Sequence, residues 1–391
     1  MHRVSAVVPN PIEHRLPLGL LASAGFLSSA GARVIDSLLD AIARDFSVGI
    51  PAVAIVLAAF TIPYGALQLV VGPLGDRIGK LRVLVFALLG YALATVGCAL
   101  AANLPELILL RACAGACSAG LIPVCLAYIA DGTRYEERQV KLSRFLTGVV
   151  AAQMLAGPVG GAFGQFVTWR GVFLLLSAAA LALAALIVLR MKNLSPQPRG
   201  EHTTTAAYAG LLRPGPRRLL VATFVDGIVF AGTFPFIAPF LHEQYALPYS
   251  AVGLVLACFG IGTFAYIAGA ARLLRLLGEP GLVLLGGVVA AAGLGLAVSS
   301  NSWAPFIVVE ALLGLGYFML HGVLQARATE MLPGARGAAT SSFAFMLFMG
   351  QALGALAVGT SVGAWGYEAT FAVDGALILL LGGGLWQLLR A

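Results

Sequence analysis

Runs of about twenty apolar residues recur from Leu16 to Leu389, separated by short polar breaks. A helix of that length crosses a hydrocarbon layer roughly 30 Å thick, and inside lipid each backbone amide must find its hydrogen-bond partner within the chain. The pattern predicts an all-α polytopic membrane protein. Twelve transmembrane spans are placed near residues 16–43, 51–71, 83–102, 106–130, 145–167, 171–190, 219–241, 250–274, 280–299, 304–326, 338–362 and 370–390. Composition excludes an ordinary soluble domain, because 60% of the 391 residues are hydrophobic and only 10% charged, against about a quarter charged in soluble chains.

The start, MHRVSAVVPNPIEHRLP, is too polar and proline-rich for a signal peptide, and the first run carries Arg33 and Asp36, so no cleavage is expected. Five cysteines fall inside the spans. Cys113 and Cys117 share a helix face, but no histidine or carboxylate joins them at ligand spacing, so they read as packing residues and no metal is expected.

Basic residues set the expected sidedness. With the N-terminus in the cytoplasm, the inner segments hold twenty of the 24 Lys and Arg residues, Arg33 and Arg111 lie within spans, and only Arg44 and Arg170 fall outside. The net charge of +7 is thus a topology signal, and no nucleic-acid partner is expected. Both termini are predicted to be cytoplasmic in a multi-pass protein of the cell membrane, the inner membrane of a bacterial cell. The longest break is rich in Pro, Thr and Arg and reads as a cytoplasmic linker over 191–218, between six-span units at 1–190 and 219–391.

The two units repeat. Residues 52–62, AVAIVLAAFTI, and 251–261, AVGLVLACFGI, match at seven of eleven positions at an offset of 199, and Gly79 falls on Gly278, Gly115 on Gly314 and Asp131 on Glu330. An even number of spans per unit makes the halves parallel repeats, with a substrate site between them near the midplane.

One break is unusual: GPLGDRIGKLR, residues 72–82, between spans two and three. Gly72, Asp76, Arg77, Gly79, Lys80 and Arg82 resemble the G-x-L-[AG]-D-[RK]-x-G-[RK]-[RK] signature of the major facilitator superfamily of transporters, departing only where Leu81 stands at the second basic position. The resemblance implies a cytoplasmic gate motif in which Asp76 docks on a neighbouring helix and the cations hold the inner leaflet. The equivalent turn of the second half, AARLLRLLGEP, has Arg275 in the place of Asp76, so its latch is expected to be weaker or differently made. Three further stretches resemble the twelve-span drug:proton antiporter branch. LILLRACAGACSAG keeps Arg111 and Gly115 of an R-x-x-Q-G motif but has Ala114 for the Gln; GVVAAQMLAGPVGG, with Gly157, Pro158 and Gly161, is similar to the antiporter helix-packing motif but lacks one residue between Pro158 and Gly160; RVIDSLLDAIARDF looks like a D-x-x-L-P-x-[IL]-A segment with Asp40 in the proline position. Gly157 and Gly161 are at a spacing that packs any membrane helix, so the second of these also has a purely structural reading.

Ionisable residues inside spans carry most of the functional weight, since each costs roughly 2.5–3.5 kcal/mol at a helix centre. Counted along the helices, Asp36, Arg111 and Glu310 lie roughly 8–11 Å below the outer surface with Arg33 a turn deeper, and Asp226 and His321 lie at a similar depth on the cytoplasmic side. In the superfamily fold, spans one, four, seven and ten line the central cavity, which places Arg33, Asp36, Arg111, Asp226, Glu310 and His321 there. Arg33, Asp40 and Asp374, nearer helix ends, have snorkelling to the interface as an alternative. Asp36 and Arg111 are expected to pair in at least one conformation, with Asp36, Arg111, Glu310 and Asp226 as the proton-coupling set: a cation holds an acid charged until helix movement or substrate breaks the contact and a proton binds.

The function expected is secondary active transport of a small molecule by alternating access, as proton-coupled efflux by a monomer. A symporter importing a small anionic metabolite is the alternative, and a non-transporting membrane sensor a remoter one. No phosphate-binding G-x-x-x-x-G-K-[ST] and no paired catalytic set is visible, so neither an enzyme nor a cofactor is expected; the partners are substrate, protons and lipid.

Overall fold

The structure is a computed structural model that describes residues 16–131, 133, 135–191, 210–332 and 336–390. Its architecture is all-helical. Ten continuous segments are long and apolar enough to cross a membrane: Leu18–Asp45, Ile50–Val71, Lys80–Leu100, Leu104–Asp131, Val140–Phe166, Trp169–Met191, Pro214–Tyr245, Tyr249–Ser299, Phe306–Glu330 and Gly337–Arg390. The eighth has 51 residues and the tenth 54, which at 1.5 Å per residue is roughly 77–81 Å, far beyond one bilayer. Each is broken at a glycine outside helical geometry, Gly278 (φ 63°) and Gly366 (φ 79°). Divided there, the segments number twelve, and they are called spans one to twelve below. The eight-to-nine break expected between residues 274 and 280 holds Gly278, whose positive φ supplies the left-handed backbone that glycine adopts freely. Gly79, its counterpart 199 residues earlier, turns span two into span three with φ 98°.

The two halves share contacts as well as turns. A Cβ on Gly115 would lie 2.0 Å from the Phe60 carbonyl oxygen, and one on Gly314 would lie 2.0 Å from that of Phe259. Both partners of the first contact shift by 199 to give the second, so span four meets span two as span ten meets span eight. Small residues let membrane helices approach this closely, and dispersion and backbone contacts then hold them.

Spans one and seven are not the unbroken helices that their hydropathy predicts. Span one runs as helix over Leu18–Arg33, turns at Val34 and Ile35, continues as a 3₁₀ turn over Asp36–Leu38 and resumes over Leu39–Asp45. Span seven runs over Pro214–Asp226, loosens into a π-turn over Gly227–Ala231, tightens to 3₁₀ over Phe234–Phe236 and resumes over Ile237–Tyr245. Pro235 and the Thr233 hydroxyl, which donates back to the Val229 carbonyl at 2.9 Å, compete with the regular ladder there. The breaks put irregular backbone at the centre of the molecule, where the charged residues are.

The halves meet along spans two and eleven and spans five and eight. Tyr64 packs edge-on against Phe348 with ring centroids 4.7 Å apart, and a Cβ on Gly161 would lie 2.1 Å from the Tyr249 carbonyl oxygen. Gly157 is nearly as close, its Cβ position 3.0 Å from the Gly253 carbonyl oxygen, with Pro158 beside it. The stretch read as a packing motif is therefore packed, and its glycines serve the seam between halves. The polar N-terminal start, most of the 191–218 linker and the last residue lie outside the described residues.

Candidate functional site

The break in span one positions the first charged pair. Arg33 ends the helix and Asp36 opens the 3₁₀ turn, which brings Arg33 Nη1 to 3.4 Å from Asp36 Oδ2. Asp36 is 3% exposed. The Arg33 guanidinium lies 4.9 Å over the ring of Phe234, on the irregular part of span seven, so it reaches from one half to the other.

Arg111 does not join this pair in the conformation described. It is 1% exposed, donates from Nη1 to the Gly31 carbonyl at 2.9 Å, and lies 4.3 Å over the Phe60 ring and 5.8 Å from that of Phe173. The expected ion pair of Asp36 with Arg111 is thus replaced by two local arrangements. Arg33, three residues from Asp36 on the same broken helix, meets the acid first, and Arg111 finds a backbone oxygen and two ring faces inside its own half. The Asp36 and Arg111 charges still act on each other.

Glu310 on span ten is fully buried, and neither of its carboxyl oxygens has a hydrogen-bond partner. The charges that act on it are those of Arg33 and Asp36. Of these two carboxyls Arg33 touches that of Asp36 only, and Glu310 stands without a contacting cation on the other half. Deeper in the second half, His321 Nδ1 lies 2.7 Å from Asp226 Oδ2, with both side chains buried. The imidazole stacks on Tyr317, centroids 4.7 Å apart and planes 9° apart. Sequence depth placed Asp226 and His321 on one level of a cavity wall; the structure joins them directly, at the point where span seven loosens into its π-turn. Such turns recur at functional sites.

Two small cavities adjoin this region and share Arg33, Phe234 and Phe259. The first is aromatic and aliphatic, closed by Phe230 and Tyr317. The second lies between the halves and adds Asp36, Gln153 and Gly157. Arg33 is the one residue in the expected cavity set that lines both. Among the described residues no cluster of three metal-ligating side chains occurs.

At the Gly79 end, Lys80 of the gate motif is 8% exposed and donates to Asp131 Oδ2 at 2.5 Å, tying the start of span three to the end of span four. Arg77 and Arg82 are exposed; Gly72 and the Asp76 side chain lie outside what is described. The second half has its own latch, made differently: Arg327 Nε donates to Glu279 Oε2 at 2.6 Å. Glu279 stands 199 residues after Lys80, but Arg327 lies three residues before Glu330, the counterpart of Asp131, so the same reversal is tied with opposite charges to a shifted partner.

Sequence reasoning missed the opposite end. Asp40, for which snorkelling to the interface is the alternative reading, is 6% exposed. Its Oδ2 accepts from Tyr249 Oη at 2.6 Å and lies 3.1 Å from Arg44 Nε and 3.4 Å from His242 Nε2. The signal available was Asp40 standing where the resembling motif has proline. Asp374 is likewise buried, its Oδ2 2.8 Å from Thr233 Oγ1 and competing with the Val229 carbonyl for that hydroxyl's single hydrogen.

Comparison with known proteins identifies the scaffold. The chain matches the Major Facilitator Superfamily over residues 21–217 and 219–390. It is 25% identical over 383 residues to the MFS-type transporter YceJ of Bacillus subtilis (strain 168), covering 94% of this chain and 95% of the other. It is 26% identical to the chloramphenicol resistance protein of Streptomyces lividans, 89% of each chain being covered, and 28% identical to the class E tetracycline resistance protein of Escherichia coli, with 92% and 90% covered. A bacterial homologue of the human lysosomal transporter Spinster, solved inward-facing and unoccupied, superposes with a TM-score of 0.76 at 18% identity over 95% of both chains. Matched in both halves and sharing the fold, the chain belongs to the Major Facilitator Superfamily and is a multi-pass membrane transporter of small molecules, not an enzyme.

Proposed function

We propose that this transporter exports a drug-like or metabolite substrate in exchange for protons, by alternating access between its two six-span halves. The observation that carries the reading is the cluster of Asp36, Arg33 and Glu310 between the halves. Two buried carboxyls lie in the field of one cation, which touches Asp36 only, so a change of contact as the halves move leaves one carboxyl without its counter-charge, and a proton is the cheapest replacement. The chloramphenicol and tetracycline resistance relatives support efflux as the direction. Both termini and the Gly79 end then lie in the cytoplasm, the Asp40 end lies outside, the protein works as a monomer in the cell membrane, and Arg111 acts by holding spans one, two and four in place.

The test is flux in proteoliposomes holding purified protein, with tetracycline and chloramphenicol as first probes and an imposed pH gradient. Substrate uptake driven by an interior-acid gradient, with protons leaving, is expected. Glu310→Gln and Asp36→Asn should each remove the response to the gradient while substrate-for-substrate exchange continues. Wild-type proton movement in both variants would end the reading. Arg33 lining both cavities favours one alternative, import of a small anion with protons; the same assay separates it by the direction in which a proton gradient drives substrate.

A further inference from the structure

One carboxylate oxygen makes the polar connection between the halves at the Asp40 end. Asp40 Oδ2, from the last helix of span one, takes the Tyr249 hydroxyl at 2.6 Å and faces His242 Nε2 at 3.4 Å. His242 ends span seven and Tyr249 begins span eight, so both partners belong to the other half. Their rings stack, with centroids 4.3 Å apart and planes 10° apart. We propose that Asp40, His242 and Tyr249 form a proton-reinforced clasp, in which protonation of His242 shifts the transporter toward the state with its halves closed at this end.

The argument starts from the other ring nitrogen. His242 Nδ1 lies 2.8 Å from the Leu247 carbonyl oxygen. A carbonyl only accepts, so Nδ1 is the donor and carries hydrogen in either charge state. In the neutral ring Nε2 is then a bare lone pair 3.4 Å from a carboxylate oxygen, acceptor beside acceptor. Adding a proton at Nε2 turns this contact into a charge-assisted N–H donor facing Asp40. The Leu247 carbonyl thereby fixes the tautomer that makes the contact proton-sensitive. Balance is simple: one proton arrives from water, no bond other than N–H forms, and the net charge of the cluster rises by one.

The neighbouring charges do not supply the switch. On its own helix His242 has Glu243, whose charge acts on it, and Tyr367 of span twelve stands beside Glu243. Across the seam are Asp40 and Arg44, the latter largely exposed and already against Asp40. Arg44 is charged at every relevant pH and Tyr249 and Tyr367 are neutral phenols, which leaves His242 and Glu243 as the groups to separate by experiment. Exposed Arg44 and Glu243 show that water, and hence protons, reach the cluster. The clasp is independent of the midplane acids: it concerns which end is closed, not whether transport is coupled.

The experiment reads closure directly, so it stands or falls apart from the flux assay. In full-length protein with its five cysteines replaced, nitroxides are placed at Ala102→Cys and Gln244→Cys, exposed positions at this end in opposite halves, and pulsed electron–electron resonance records their separation between about pH 8 and about pH 5.5, either side of the ordinary histidine range. The short-distance population is expected to grow as the pH falls. His242→Gln, whose amide donates at any pH, and Asp40→Asn should both flatten the response; Tyr249→Phe should lower the closed fraction throughout and keep the slope. A wild-type distribution that does not change with pH overturns the clasp. So does a slope that survives His242→Gln and vanishes in Glu243→Gln.

Discussion

Arg111 is a cation with no carboxylate against it, held by one carbonyl and the faces of two rings. A flat guanidinium can stack and donate at once, whereas an ammonium cannot. Arg111→Lys should therefore lower the melting temperature of the purified protein, by the equivalent of about 2 kcal/mol for a desolvated cation–π contact, although its charge is kept; an unchanged melting curve would mean that charge alone matters at this position. The Arg itself was legible in the sequence, since a buried charge at a motif position stands out against apolar surroundings. Its partners were not. Gly31 is 80 residues away, and nothing in Ala114, which replaces the motif's Gln, indicates that a backbone oxygen takes over. Asp36 stands out in the sequence for the same reason as Arg111, but its contact with Arg33 does not: depth along ideal helices ignores the local turn that swings Arg33 onto it.

At the scale of elements, the twelve spans and their glycine turns were readable because hydropathy over about twenty residues and a missing side chain at a reversal both leave marks in the sequence. The breaks in spans one and seven were not readable, because a π-turn or 3₁₀ turn keeps the same apolar composition as the helix around it. The latches were half readable. Lys80 with Asp131 and Arg327 with Glu279 each tie a reversal to the end of a neighbouring span. Asp131→Asn removes the carboxylate that the mostly buried Lys80 ammonium meets at the end of span four, and should weaken transport while insertion and expression continue. Lys80→Asp with Asp131→Lys should restore part of that loss, giving a coupling of about 1 kcal/mol or more in a double-mutant cycle on thermal stability. Strict additivity of the two single changes would show the pair to be incidental.

Across the whole molecule, the parallel repeat was visible as an offset of 199, and the contacts of Gly115 and Gly314 repeat at the same offset. The seam between halves was harder to read, because the glycines that permit it look like ordinary packing residues. Gly161→Leu puts a branched side chain where a Cβ already lies 2.1 Å from the Tyr249 backbone. The halves should then fail to close at the Asp40 end, which the same spin-label distances would report as loss of the short population at every pH, together with loss of transport. The reversed latch has a consequence for how such a chain finds its shape. Two homologous six-span bundles are made one after the other in one bilayer, and a turn from either could settle on the wrong bundle. A Glu279 turn settling at the Asp131 position would set acid against acid, whereas a Lys80 turn on the second bundle would meet Arg327 but also Glu330, the counterpart of Asp131. Exchanged polarity would thus act against one of the two mispairings during assembly, keeping the Glu279 turn out of the first bundle.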